Sequence, residues 1–414
     1  MKILFRNIHL YLSLAAGLII MMSCLTGAIL VFEHEIEHAL NNGRYEVEAK
    51  GSRLPLSVLV KNALESTSKA KLASIKVYSD AGRSVEIGLM TPEKKDSKGA
   101  KAEGEHKEHE KQGKQEGPGK RTGEKKMQKG GGKPNLIVYV NPYTGKVIEV
   151  FNRKKSFFMT IEMLHRWLLS GNDGIGKKVV GFSTFFFFFI LITGIILWWP
   201  KTKAILRQRL KIKANSGWKR FNHDIHIVAG FYTSIFLIVI VLTGLAMSFN
   251  WINKGIFTLT GTKMENPEPP ESVYQAGVKP IAVDLAYNQL AGSIKNAEFI
   301  NIRMPKDSIG AVSATALPKG ALETAFDTYY IDQFSGKIIG QNKAADKNLG
   351  QKIRSYVKPV HTGGVFGMPT KILSFIICLL AFTFPITGVI MWLNRLKGEK
   401  KKSKDKVSRQ AVVA

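Results

Sequence analysis

Histidines stand at a fixed distance ahead of threonine-glycine pairs in two separate parts of the chain. His9 precedes Thr26–Gly27 by 17 and 18 residues, and His226 precedes Thr243–Gly244 by the same intervals. Each of these histidines follows an isoleucine and precedes an aliphatic residue. A neutral imidazole is the commonest metal ligand in proteins and a frequent axial ligand of haem iron. The repeated spacing therefore indicates two histidines that act as equivalent ligands.

A second pair of histidines has threonine-glycine partners of its own. His165 leads to Thr193–Gly194, and His361 leads to Thr387–Gly388. Each half of the chain thus contains two such histidines, and a threonine-glycine pair follows each of them along the sequence. A repeat of this length predicts two tandem structural units.

Four uncharged hydrophobic stretches must position these histidines. They are Leu10–Phe32, Val179–Trp199, Ile227–Phe249 and Ile372–Leu393. At about 1.5 Å per residue, each is long enough as a helix to cross a hydrocarbon core of roughly 30 Å. The sequence therefore predicts a polytopic membrane protein. The first stretch is too long for the hydrophobic part of a signal peptide, so we expect it to remain as a membrane helix.

Basic residues near the helix ends predict the orientation. The chain has 60 Lys and Arg against 32 Asp and Glu, a formal charge of +28. Pro200–Asn222 holds eight basic residues and no acid, and Asn394–Ala414 holds another eight with two acids. Because basic loops stay on the cytoplasmic side, we expect both segments and both termini there, beside membrane lipid. The excess charge is then a topology signal, and no nucleic-acid partner is predicted.

The two remaining regions lie outside the cytoplasm in this topology, and they resemble each other. Tyr139–Ile148 aligns without gaps to Tyr330–Ile339, and each favours two strands joined by a turn with Gly at positive φ. Upstream, Pro55–Ser68 and Pro280–Ser293 have helix-spaced apolar residues. The strand-like segments that follow these helices are Leu72–Tyr78 and Glu298–Met304. Each region therefore reads as a helix packed on an antiparallel sheet.

The predicted fold class is an α+β membrane protein with four transmembrane helices in two tandem helix, outer domain, helix units. The boundaries are 1–32 (first helix), 33–164 (first outer domain), 165–199 (second helix with its lead-in), 200–222 (cytoplasmic loop), 223–249 (third helix), 250–360 (second outer domain), 361–393 (fourth helix with its lead-in) and 394–414 (cytoplasmic tail). Thr91–Pro134 interrupts the first outer domain with a Lys-, Glu- and Gly-rich composition that cannot form a core. We expect this tract, which contains His106 and His109, to be a disordered and dispensable insertion.

The motifs taken together resemble one known family. They are the paired outer domains, the threonine-glycine pair in every membrane helix, His165–Leu168, His223–His226 and His361–Gly364. Over nearly the whole chain, this combination is similar to the PepSY-associated transmembrane family (PepSY_TM) of iron-regulated inner-membrane proteins. The family includes siderophore–iron reductases of Gram-negative bacteria that bind two haems within a four-helix membrane unit. The resemblance implies PepSY outer domains, a bacterial inner-membrane location, two b haems and reduction of a ferric siderophore for iron uptake.

The histidines divide by side of the membrane. His9, His223 and His226 lie at the cytoplasmic ends of the first and third helices, whereas His165 and His361 lie on the outer side. Ionisable residues at the margins of membrane helices mark functional sites, and two pairs on opposite faces suit electron transfer across the membrane. We predict that His9 and His226 bind the inner haem and that His165 and His361 bind the outer one. His223 competes with His226 for the inner position.

Residues near the histidines have two interpretations each. The threonine-glycine pairs either pack helices closely or leave room for a flat macrocycle. The tryptophans are typical of the aromatic belt at a membrane surface, with contact to haem as the alternative. These tryptophans are Trp198, Trp199 and Trp392. The arginines that can pair either with haem propionates or with lipid phosphates are Arg6, Arg166 and Arg220.

Other sequence features limit the alternative chemistries. Cys24 and Cys378 both lie in hydrophobic stretches, so the sequence has neither a disulfide framework nor the CxxCH motif of covalent haem. His34–His38 matches HExxH, but no third zinc ligand is evident, which disfavours a peptidase. The sequence also has no phosphate loop, no GxGxxG motif and no Ser/His/Asp arrangement.

Two function classes remain. One is an oxidoreductase that takes electrons from a quinol or a cytoplasmic reductase and passes them through two haems to a ferric siderophore. Siderophore oxygens are hard donors suited to Fe(III), so reduction weakens the binding and releases Fe(II). The other is a non-enzymatic PepSY module, anchored by its helices, that binds or regulates a peptidase or another partner protein. Histidine pairs on both faces favour the first class, because an anchor does not need them.

Overall fold

The computed structural model describes residues 2–91, 134–213, 215–265, 267–274, 276–305 and 307–413, with side chains as far as residue 402. Its helices are α1 (Lys2–Val31), α2 (Glu33–Leu40), α3 (Asn42–Tyr45), α4 (Leu56–Glu65), α5 (Phe157–Trp167), α6 (Ile175–Trp198), α7 (Lys203–Arg209), α8 (Trp218–Asp224), α9 (Gly230–Ser248), α10 (Asn250–Leu259), α11 (Val283–Ser293), α12 (Leu349–Thr362) and α13 (Met368–Val413). Its strands are β1 (Lys71–Tyr78), β2 (Val85–Met90), β3 (Leu136–Val140), β4 (Val147–Phe151), β5 (Ala297–Arg303), β6 (Val312–Pro318), β7 (Asp327–Ile331) and β8 (Ile338–Asn342). Apart from its two end residues, the predicted insertion at Thr91–Pro134, with His106 and His109, lies outside the described residues.

Four helical spans in the described chain are long and apolar enough to cross a membrane. They are Lys2–Val31, Ile175–Trp198, Trp218–Ser248 and Met368–Lys402. Each begins four to nine residues before the corresponding uncharged stretch, because Lys and Arg side chains at a helix end can reach the lipid surface. The prediction of a multi-pass membrane protein agrees with these spans.

The four spans form one bundle. Helix α1 packs against α6 and α13, and α9 packs against the same two helices. Apolar side chains fill the interior, including Ile20, Ile190, Leu237 and Val241. At one end, which we call the sheet side, the helices connect to the strands. The other end, the terminal side, carries the start of α1, the end of α13 and the connection between α6 and α8.

A short π-helical turn, Ile225–Ala229, joins α8 to α9 within the third span. A π turn widens the helix locally by one residue, and such turns are frequent at functional sites. This one contains His226, so the backbone irregularity coincides with a predicted ligand.

The strands form a single antiparallel sheet in the order β4-β3-β2-β1-β5-β6-β7-β8. The two predicted hairpins are confirmed as β3-β4 and β7-β8, with Gly145 and Gly336 in their turns at φ 71° and 72°. Helices α4 and α11 correspond to the predicted outer helices, and both pack on the apolar face of the sheet. Buried residues of this face include Leu59, Ile87 and Ile302.

The outer regions share one sheet, whereas the sequence predicts two separate domains. Strand β1 pairs with β5 in register, with Ile75 opposite Ile302 and Val77 opposite Ile300. In separate domains, both strands would expose an edge of unpaired backbone groups, which is an unfavourable surface. Pairing satisfies these groups and merges the two apolar faces into one core.

Asp284 of α11 also joins the two halves of the outer layer. Its carboxylate accepts hydrogen bonds from the backbone N–H groups of Leu56 and Ser57, in the first turn of α4. These N–H groups have no partner within their own helix. A carboxylate from the other half therefore caps α4.

We expect Asp284→Ala to lower the free energy of unfolding of the outer layer by about 1 kcal/mol, the usual cost of losing a helix cap. Thermal unfolding of the purified protein in detergent would measure the change. Ser57→Ala is the matched control, because Ser57 occupies the equivalent position in α4 and uses only its backbone N–H in this contact. Equal effects of the two substitutions would contradict the capping role.

Candidate functional site

The four predicted histidines come together as two pairs at opposite ends of the bundle. The rings of His9 in α1 and His226 in the π turn have centroids 6.4 Å apart, on the terminal side. The rings of His165 in α5 and His361 in α12 have centroids 6.3 Å apart, on the sheet side. We call these the terminal-side pair and the sheet-side pair. The structure thus brings together the residues that the sequence analysis paired.

A hydrogen-bond arrangement on a neighbouring helix holds His9. Its Nδ1 lies 3.0 Å from Thr193 Oγ1 and 3.1 Å from the carbonyl oxygen of Ile190, both in α6. The Thr193 hydroxyl donates to the Phe189 carbonyl at 2.8 Å, so its oxygen is free to accept. A carbonyl oxygen only accepts, so Nδ1 of His9 must carry the proton. In this tautomer Nε2 has a free lone pair, as a metal ligand requires.

The other three histidines repeat this arrangement. Their Nδ1 atoms bond to Thr387 Oγ1 (His226, 2.8 Å), to Thr26 Oγ1 and the Ser23 carbonyl (His165, both 3.0 Å), and to Thr243 Oγ1 and the Ile240 carbonyl (His361, 3.2 and 3.0 Å). Within the described residues, Nε2 makes no protein hydrogen bond in any of the four. All four rings therefore present an unused nitrogen lone pair.

The glycine of each threonine-glycine pair makes room for an imidazole ring. A Cβ added at Gly27, Gly194, Gly244 or Gly388 would lie 3.1–3.4 Å from Cε1 of the histidine held there. This is tighter than ordinary van der Waals contact. The sequence analysis offered helix packing or clearance for a macrocycle; the structure shows that the missing side chain leaves room for the imidazole ring of a neighbouring helix.

These hydrogen bonds link helices within one half of the chain, whereas the pairs join the two halves. His9 and His165 bond to helices of the first half, and His226 and His361 bond to helices of the second half. Each pair contains one histidine from either half. A ligand bound between two rings would therefore connect the halves at that end of the bundle.

Along α1, the two pairs lie far apart. His9 belongs to the terminal-side pair, and Thr26, 17 residues later, holds His165 of the sheet-side pair. At 1.5 Å per residue this separation is about 26 Å along the helix axis. Apolar side chains, including Ile20 and Phe187, occupy the interval.

A cavity of about 1050 Å³ surrounds the terminal-side pair. Along α1 it extends from Arg6 past His9 to Ile20. This volume lies at the upper end of the range for cofactor sites, about 300–1,000 Å³. Its wall is mainly apolar, and its basic members, all toward the terminal side, are Arg6, Lys219, Arg220 and Arg395.

The residues fit a b-type haem. Two imidazoles on opposite sides of one iron, with bonds of about 2.0 Å, have ring centroids about 6.3 Å apart, and both pairs match this separation. The donor set of two neutral imidazoles is that of low-spin haem. The apolar wall suits a macrocycle, and the basic end of the cavity suits its two carboxylates.

His223 lies in the same cavity but has a different partner. Its Nδ1 is 3.3 Å from Oδ1 of Asp224, a buried carboxylate that also pairs with Arg220 at 2.8 Å. His226, by contrast, is the residue opposite His9. The geometry therefore favours His226 over His223 as the second ligand of the terminal-side pair.

The three arginines considered for propionates differ in their partners. Arg166 pairs with Glu162 at 2.7 Å, and Arg220 pairs with Asp224. Arg6 lines the cavity and forms no ion pair with any described residue. Lys219 and Arg395 were missed by the sequence analysis, because only the fold brings these terminal-side residues to the cavity.

Trp198 and Trp199 have opposite environments. Trp198 is buried in the cavity wall, stacked on Phe231 with centroids 3.5 Å apart, whereas Trp199 is 66% exposed. The exposure of Trp199 is what the aromatic-belt interpretation requires, whereas the position of Trp198 in the cavity wall is what contact with a haem would require. Trp392 also lines the cavity.

The HExxH segment lies in α2, and its second histidine packs against neighbouring side chains. His38 stacks on Tyr45 with centroids 4.0 Å apart, and its Nε2 accepts from the Arg83 guanidinium at 3.0 Å. Burial and the neighbouring Arg83 charge lower the pKa of His38. Glu35 pairs with Lys371 at 2.6 Å. Among the described residues, no cluster of three potential metal ligands exists, so the motif has no zinc-site geometry.

These features define a multi-pass membrane protein with an antiparallel sheet beyond one end of its helix bundle and a histidine pair at either end of the bundle. The chain belongs to the PepSY-associated TM region family, whose model matches residues 6–395. The match covers most of the first and fourth spans, the whole of the second and third, and the strands of the sheet. No curated protein is significantly similar to the chain.

We expect Gly244→Ala to destabilise the bundle by roughly 1–3 kcal/mol, the cost of overpacking a filled site. The added Cβ would lie 3.1 Å from Cε1 of His361 and would push the ring away from Thr243. Thermal unfolding in detergent would measure the loss. Gly255→Ala is the control, since a Cβ there meets nothing within 4 Å. If Gly244→Ala left the thermal stability unchanged, the prediction would be wrong, because the His361 ring would then move without a cost in free energy.

Proposed function

We propose that the protein is an inner-membrane oxidoreductase that binds two b haems between its histidine pairs and reduces ferric siderophores in the periplasm. The observation that carries this proposal is the presence, at both ends of one bundle, of two imidazoles with free Nε2 atoms and ring centroids 6.4 or 6.3 Å apart, a separation that would suit two ligands of one iron. When bound, haem b supplies a one-electron Fe(III)/Fe(II) couple at either end.

The protein's own residues have distinct tasks in this function. His9 and His226 would hold the iron on the terminal side, and His165 and His361 would hold it on the sheet side. Arg6, whose guanidinium forms no ion pair with any described residue, would bind a haem carboxylate together with Lys219 and Arg395, which line the same cavity. The apolar interior between the pairs excludes water and ions from the path of the electrons.

The orientation follows from charge. The terminal side carries Pro200–Asn222 and Asn394–Ala414, with eight basic residues each, so it faces the cytoplasm. The sheet then faces the periplasm. In this arrangement the chain consists of two tandem units, each a membrane helix, a PepSY domain and a second membrane helix.

The direction of electron flow follows from the same orientation. A quinol or a cytoplasmic reductase donates electrons at the cytoplasmic end, and a ferric siderophore accepts them near the sheet-side pair. Reduction replaces Fe(III), which the hard siderophore oxygens bind tightly, with Fe(II), which they bind weakly. The iron is thereby released for uptake.

A non-enzymatic PepSY module that regulates a peptidase is the alternative from the sequence. The four half-buried imidazoles, each held in one tautomer inside the bundle, favour the oxidoreductase. A membrane anchor needs no imidazoles inside its bundle, and polar side chains inside a membrane are costly without a function.

The purified protein should show a reducible low-spin b-type spectrum with about two haems per chain, because each pair offers two imidazole ligands. His9→Ala or His226→Ala should remove one haem, and His165→Ala or His361→Ala the other. Haem content would be measured by the pyridine haemochrome assay. His34→Ala, an exposed histidine outside both pairs, is the control. A colourless preparation from haem-replete cells would rule out the proposal.

We expect pre-reduced protein in lipid vesicles to release Fe(II) from ferric siderophores, detected by a ferrous-specific chelator. His165→Ala should abolish the release while the terminal-side haem remains, because the last electron donor is missing. His34→Ala should keep the wild-type rate. Release that survives loss of the sheet-side haem would contradict the proposed path.

A further inference from the structure

We propose that Thr26, Thr193, Thr243 and Thr387 are positioning residues that set the reduction potential of the iron at each end of the bundle. The inference rests on the proposed function and deepens it. It concerns residues that touch neither the iron nor the substrate and that act through the histidines.

Each threonine hydroxyl is oriented by its own helix. Its proton is directed to a backbone carbonyl four residues earlier: Thr26 to Met22 (2.8 Å), Thr193 to Phe189 (2.8 Å), Thr243 to Val239 (2.9 Å) and Thr387 to Thr383 (3.0 Å). The oxygen lone pairs are therefore left to accept from the imidazole Nδ1–H. A threonine hydroxyl can either donate or accept a hydrogen bond. Because its proton is bonded to the helix backbone, each of these hydroxyls can only accept from the imidazole.

A fixed acceptor at Nδ1 has a defined effect on the other ring nitrogen. It draws the Nδ1 proton away from the ring and makes Nε2 a stronger electron donor. A stronger donor stabilises Fe(III) more than Fe(II), so the reduction potential falls. Removal of the hydroxyl should therefore raise the potential of the haem at that end. The ring should also lose part of its orientation.

The chain provides matched controls within the same helices. Thr184 in α6 and Thr233 in α9 also donate to a backbone carbonyl four residues earlier in their own helix. Nδ1 of the paired histidines bonds instead to the four threonines named above. A Thr→Val change at one of these control positions removes a hydroxyl from the same helix, but that hydroxyl does not bond to a paired histidine.

The experiment compares Thr193→Val, Thr193→Ser and Thr184→Val by potentiometric titration of the haem-loaded protein, followed by visible absorbance. The His165→Ala background leaves only the terminal-side haem, so the signal belongs to one centre. We expect an upward shift of the potential for Thr193→Val alone. Thr243→Val, Thr243→Ser and Thr233→Val form the corresponding set for the sheet-side haem in the His9→Ala background.

Haem retention provides a second measurement. A second-shell hydrogen bond contributes about 10- to 100-fold to metal affinity, so Thr193→Val should lose haem to apomyoglobin faster than Thr193→Ser. Complete loss of haem from the Val variant, with the Ser variant still loaded, would also support the positioning role, because the Ser variant keeps the hydroxyl and the nearly isosteric Val variant lacks it.

The measurements distinguish a failure of this inference from a failure of the proposed function. If the haem binds and the Val, Ser and control variants share one potential and one rate of haem loss, the inference is wrong and the proposed function stands. If the wild-type protein binds no haem, the proposed function is wrong and the inference falls with it.

Discussion

The hydrogen bond from an imidazole Nδ1 to a threonine oxygen on a neighbouring helix is the interaction on which the bundle depends. It occurs four times, at 2.8 to 3.2 Å, and in each case it fixes the tautomer and direction of a histidine. In hydrocarbon an unsatisfied polar group costs several kcal/mol, so the bond also holds two helices together. The ring nitrogen that remains free is the one that can bind a metal.

Close packing makes this hydrogen bond possible. An imidazole reaches the threonine only because the next residue is glycine, whose missing side chain leaves the space that Cε1 occupies. The bonds stay within one half of the chain, and the pairs bridge the halves. The strand pair β1-β5 bridges them again in the outer layer. Ligands at both ends of the bundle would thus reinforce an association that the sheet already enforces.

The two ends of the bundle are built differently. On the terminal side, the histidines belong to the long spans and face a large cavity with basic residues at its end. On the sheet side, they belong to the short helices α5 and α12, which end in the left-handed residues Leu168 (φ 49°) and Gly363 (φ 74°). Leucine is strained in this conformation, and such strain persists only where the surrounding structure requires it. His165, three residues before Leu168, lies against Thr26 of α1.

The four spans, the two hairpins and the pairing of the histidines could be predicted from the sequence, because hydrophobic length and turn glycines are local properties and a repeated spacing can be recognised by comparing the two halves of the chain. The packing of the helices, by contrast, explains why the threonine-glycine pairs recur at this spacing, because each pair lies against a histidine of another helix. Only the tertiary structure showed that glycine accommodates an imidazole, that Trp198 is buried, that His223 faces Asp224, and that β1 and β5 merge two expected domains into one sheet. Each of these depends on which surfaces meet, and residues far apart in the chain make those contacts.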